Sequence, residues 1–162
     1  MTSPKTINYD AIFKELMVLR EDTDWLKQRA KYWPERSGFI REHCTYWLGT
    51  PRQTGKTSWV TAALNNFNER LNDPATNSCM VVVNDNYREL LKNRGRVDFP
   101  IVTVKEIHDG LDGTDVFEHA QFDFFVVDEA NYVMKRLKKD MRLFTWIAEH
   151  STRFPTVLMI GS

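Results

Sequence analysis

The chain of 162 residues is long enough for one domain with a hydrophobic core and too short for two ordinary ones. Apolar residues make up 42% and charged residues 27%, which are globular proportions, and no apolar run approaches the length needed to cross a bilayer, so no membrane partner is expected. Lys and Arg at 22 balance Asp and Glu at 22, so any contact with nucleic acid must come from a local patch rather than from net charge.

Cys44 and Cys79 lie in or beside apolar runs without the spacing of a zinc site or disulfide framework and read as reduced core thiols. The N-terminus carries no secretory signal, so the expected compartment is the cytoplasm. His43, His108, His119 and His150 have no metal-ligand spacing and read as structural or surface residues.

Residues 1–40 form a helical lead-in, with Ile12, Leu16, Leu19, Trp25 and Leu26 at roughly helical spacing. Pro34 and Gly38 end that pattern, and Cys44 to Leu48 reads as the first strand, bounded by Gly49. Val60, Ala63, Leu64, Phe67 and Leu71 mark one face of a helix over 57–71, closed by Pro74. Met80 to Val83 is an unbroken apolar run, as expected of a parallel strand covered on both faces, and a helix is expected over 87–93.

Ile101 to Val104 reads as a further strand, and Asp109 to Asp115 as a solvated, turn-rich loop that lacks calcium-loop spacing. Phe122 to Val127 is the longest strand candidate and stops at Asp128 and Glu129. One helix is expected to follow, with Met134, Leu137, Met141, Phe144 and Ala148 on one side and Lys135, Lys138, Lys139 and Arg142 on another. Thr156 to Ile160 is the last strand. Strands alternating with helices predict an α/β fold with a mostly parallel sheet and right-handed crossovers.

The segment Gly49-Thr50-Pro51-Arg52-Gln53-Thr54-Gly55-Lys56-Thr57 lies between a strand and an amphipathic helix, where a phosphate-binding loop belongs. A polyphosphate needs convergent backbone N–H donors, and a glycine-permitted turn at a helix N-terminus supplies them. Residues 50–58, ending at Ser58, would cradle ATP, with Lys56 on the β- and γ-phosphates and the Thr57 hydroxyl on Mg²⁺. Thr50 stands where the strict pattern has glycine. Asp128 would hold Mg²⁺ through its water shell, and Glu129 would orient and polarise the attacking water. No guanine-specific Asn-Lys-x-Asp is present.

Pro51-Arg-Gln-Thr-Gly-Lys-Thr57, Gly110-Leu-Asp-Gly113 and Phe122-Asp-Phe-Phe-Val-Val-Asp-Glu-Ala130 together resemble the Walker A and Walker B regions of phage terminase large subunits. These are DNA-packaging motor ATPases, and the likeness runs in order from Tyr46 to Ser162. It implies a three-layer P-loop NTPase core over 41–162, without the nuclease domain and without the last sheet strand or strands. It also implies Arg52 as an arginine acting on the γ-phosphate from within the loop, and Ser162 as a sensor of that phosphate.

The same resemblance implies double-stranded DNA, further packaging components or an oligomeric ring as partners, and the host cytoplasm as location if the protein is viral. Asp128-Glu-Ala-Asn131 also resembles the second motif of superfamily helicases, whose second RecA-like domain is not expected within a chain of this length. An ATP-binding regulatory or assembly module is the competing expectation. Lys135, Lys138, Lys139 and Arg142 with Arg88, Lys92, Arg94 and Arg96 are the candidate DNA strip. Tyr32 or Trp33 are candidates to cover an adenine.

Overall fold

A computed structural model describes residues 7–49, 55–70 and 78–161. The strands are β1 (Thr45–Gly49), β2 (Ser78–Val82), β3 (Ile101–Thr103), β4 (Phe122–Val127) and β5 (Ser151–Gly161). They form one sheet in the order β1-β5-β4-β2-β3, and every neighbouring pair is parallel. The helices among the described residues are α1 (Tyr9–Glu21), α2 (Thr23–Ala30), α3 (Arg36–His43), α4 (Lys56–Arg70), α5 (Asp85–Arg94), α6 (Val104–Leu111), α7 (Ala130–Leu137) and α8 (Asp140–Glu149).

Strand order dictates where the helices go. The path runs outward from β1 through β2 to β3, then turns back through β4 to β5. Right-handed crossovers therefore place α4 and α5 on one face and α6, α7 and α8 on the other. The core divides accordingly. Val60 and Leu64 of α4 and Leu91 of α5 pack with Met80, Val82, Phe124, Val126, Leu158 and Ile160, whereas Ile107, Val133, Leu137 and Phe144 pack with Cys79, Val81, Phe125, Val127, Val157 and Met159. Alternate residues of each central strand serve opposite cores, which is why these strands read as unbroken apolar runs.

The N-terminal helices serve both faces. Phe13 of α1 meets Trp59 and Phe124 at ring distances of 5.7 and 5.5 Å, and Trp59 Nε1 donates to Asp10 at 2.7 Å. Leu26, Phe39 and Ile40 of α2 and α3 belong to the other core. Arg36 fastens α3 to the start of β5, donating to the Ser151 carbonyl at 3.1 Å, its hydroxyl at 2.7 Å, and the Thr152 carbonyl.

Several expected elements differ in detail. The expected strand at 101–104 stops at Thr103, because that residue caps α6: its side chain accepts from the Glu106 N–H while Glu106 accepts from the Thr103 N–H. Part of the predicted loop over 109–115 is therefore helical, and Asp115 is docked against His150 Nε2 rather than solvated. The single helix expected after Glu129 is two helices, broken where Lys138 takes a left-handed conformation, φ 63°. β5 begins five residues earlier than the predicted Thr156, with Pro155 inside a register shift against β4 where its missing N–H interrupts no ladder. Both cysteines are buried thiols, and burial raises that of Cys79. The predicted helix end at Leu71 and the stop at Pro74 lie outside the described residues.

Candidate functional site at the C-terminal edge of the sheet

Four chain segments deliver polar groups to the C-terminal ends of the strands, where open parallel sheets bind ligands. Gly55 turns the chain into α4 with φ +84°, a conformation that favours glycine, and its carbonyl accepts from the Trp59 N–H at 2.9 Å to start the helix. Lys56 and Thr57 follow in the first turn. β5 lies between the strand preceding α4 and β4. Lys56 bridges that interval: its ammonium donates to the Gly161 carbonyl, at the end of β5, at 2.7 Å. Gly161 is closely approached on another side, since a Cβ there would lie 3.2 Å from Asn131 Nδ2.

Asp128 is the centre of the cluster. It is 2% exposed and accepts from three donors. Tyr87 OH donates to Oδ2 at 2.7 Å, Thr57 Oγ1 donates to Oδ2 at a longer 3.3 Å, and the Glu129 N–H donates to Oδ1 at 3.0 Å. A carboxylate offers about four lone-pair sites, so these donors occupy both on Oδ2 and one of the two on Oδ1. Burial pushes the Tyr87 phenol far above its ordinary range, the charge of Asp128 and the bond to it push it further, Glu129 adds to this, and Thr57 opposes it. Tyr87 is thus a fixed donor across neutral pH.

Glu129 sits in the left-handed region, φ 49° and ψ 50°, and caps α7 without a side-chain hydrogen bond to it. A left-handed non-glycine residue costs about 1–2 kcal/mol, and such strain gathers at functional positions. Here it turns the chain sharply between β4 and α7 and keeps Glu129 partly exposed beside the buried Asp128.

Of the residues singled out from sequence, Lys56, Thr57, Asp128 and Glu129 converge on this edge. Thr50, Pro51, Arg52, Gln53, Thr54 and Ser162 lie outside the described residues. Trp33 does not cover this site. It donates to His43 Nε2 at 2.9 Å, and His43 immediately precedes β1, at the opposite edge of the sheet from Lys56. The basic residues do not form one strip, because α5 and α7 belong to opposite faces. Arg88 is also committed to Asp85 and Glu106, and Arg142 to His108 and Asp112.

Tyr87 is the participant that sequence patterns did not indicate. Its only cue is its place in the first turn of the helix after β2, a strand that neighbours β4.

Among the described residues no group of three or more His, Cys, Asp or Glu side chains could hold a metal ion. The donor set is instead one hydroxyl and one carboxylate. That suits Mg²⁺, a hard cation that keeps much of its water and is bound through one or two carboxylates plus substrate phosphates. No helix among the described residues is long and apolar enough to cross a membrane. Neither protein-family models nor curated protein sequences match this chain.

Proposed function

We propose that the chain binds ATP with Mg²⁺ and hydrolyses it, as the core of a terminase-like P-loop ATPase. The observation that carries this is the convergence of Lys56, Thr57 and Asp128 at one sheet edge, across the intervening β5. An ammonium and a hydroxyl at the start of α4 suit a polyphosphate, whose charge the positive end of that helix also favours.

Thr57 and Asp128 would hold Mg²⁺. When bound it neutralises phosphate charge. The remaining lone pair of Asp128 Oδ1 suits a hydrogen bond from a water of the cation, since both sites on Oδ2 already accept hydroxyl protons. Lys56 carries three donor protons and can engage a phosphate oxygen alongside or in place of the Gly161 carbonyl. Glu129 would take the role of orienting and polarising the attacking water. By resemblance, Arg52 would steady the γ-phosphate charge and Ser162 would sense it, and turnover would drive a double-stranded DNA partner.

Nucleotide binding and phosphate release test the proposal. Lys56→Ala weakens ATP binding by at least about a hundredfold, the loss of charge-assisted bonds to phosphate. Glu129→Gln retains binding and lowers turnover by about 10²–10⁴-fold. Equal ATP affinity for Lys56→Ala and the parent protein would refute the site. Tight binding without phosphate release, with or without double-stranded DNA, would instead make the chain a nucleotide-binding module.

A further inference from the structure

A second cleft of about 470 Å³ opens beside the first turns of α5 and α6. Its lining includes Asn84, Asn86, Lys105, His108 and Arg136. Asp85, the carboxylate on this wall, is paired with Arg88. Arg136 has no ion pair or hydrogen bond among the described residues. Arg142 Nε donates to His108 Nδ1 at 3.1 Å, which fixes the ring proton on Nε2 and leaves that N–H as a donor without a partner among the described residues. Lys105 is held by an exposed pair with Asp109 at 3.0 Å, a contact of small worth that is readily exchanged.

We infer that this cleft is a second oxyanion site, taking the phosphate of a small phosphorylated ligand between Arg136 and His108. Lys105, His108 and Arg136 present cationic or donor groups to a bound anion, and a guanidinium matches phosphate oxygens two at a time. The volume accommodates a phosphate with a sugar and base attached. None of these residues serves the proposed ATP site, so the inference stands apart from that proposal.

The test is titration of the full chain with inorganic phosphate and, separately, with AMP. The readouts are the backbone amide signals of Asn84 and Asn86 and the imidazole signal of His108. Lys56→Ala serves as a second background, removing the main ammonium of the other site. Saturable shifts are expected in both backgrounds, weakened at least about tenfold in Arg136→Ala and in Arg136→Glu. A tighter response to AMP identifies a nucleotide or similar phosphomonoester, and equal responses identify the phosphate alone. Unmoved signals at about 10 mM of either probe, shifts confined to residues 55–58, or equal affinity in Arg136→Glu would overturn the inference.

Discussion

Replacing Tyr87 with Phe keeps the ring and deletes the hydroxyl that donates to Asp128 at 2.7 Å. Asp128 is 2% exposed, so water cannot readily substitute, and losing a hydrogen bond to a charged acceptor costs about 1.5–3 kcal/mol. In a chain of this size each kcal/mol moves the thermal midpoint by about 2–4 °C, so Tyr87→Phe lowers Tm by roughly 3–12 °C at neutral pH. The pH profile provides a second check. The folded phenol titrates above its ordinary 10.0, so its contribution is complete below that value and is lost as pH rises through the folded value. The difference between wild type and variant, followed by calorimetry, is therefore constant from about pH 6 to about pH 9 and narrows above about pH 10. Midpoints equal within about 1 °C, or a gap that widens in alkali, would refute the assignment of Tyr87 as the donor that holds Asp128.

Lys138→Gly removes a side chain from a left-handed position, φ 63°, and is expected to stabilise the protein by about 1 kcal/mol in denaturant unfolding. His43 accepts from Trp33 Nε1 at 2.9 Å within a ring cluster that includes Trp25 and Phe39. Burial lowers its pKa, Arg29 lowers it further, and Glu42 opposes them. Its contribution is thus present above its ordinary 6.5 and lost as pH falls through the lower folded value. Melting curves should show an acid loss that shrinks in Trp33→Phe, where protonation no longer breaks a hydrogen bond.

The central sheet was legible because its strands are apolar on both faces and end at polar residues. The β4 boundaries, Phe122 to Val127, coincide with the pattern because Asp128 and Glu129 follow at once. Lys56, Thr57, Asp128 and Glu129 were visible for the same reason: each stands at a fixed offset from a strand end or helix start. α6 was missed because Asp109, Gly110 and Asp112 suggest a turn, although Thr103-x-x-Glu106 is a capping box in plain sequence. Gly110 is tolerated inside that helix, where a Cβ would make only ordinary contacts of 3.4 Å with Asp115 Oδ1 and Trp146 Nε1.

The break between α7 and α8 falls at Lys138 and Lys139, with neither glycine nor proline to signal it. Tyr87 was invisible for a different reason. Its partner Asp128 is 41 positions away, and only the pairing of β2 with β4 brings them together.

The double-sided greasiness of β2 and β4 has a consequence for how the sheet finds its alignment. Sliding β4 by two residues would bring Asp123 to the buried position of Phe125 in one direction, or Asp128 and Glu129 to those of Val126 and Val127 in the other, so both cores oppose the shift. Such a slide moves the strand by about 6.6 Å, enough to strand the Asp128 carboxylate away from Tyr87 and Thr57. The polar knot at the strand tips therefore acts as a vernier for the whole sheet, and chemistry placed there also tells the chain where to stop.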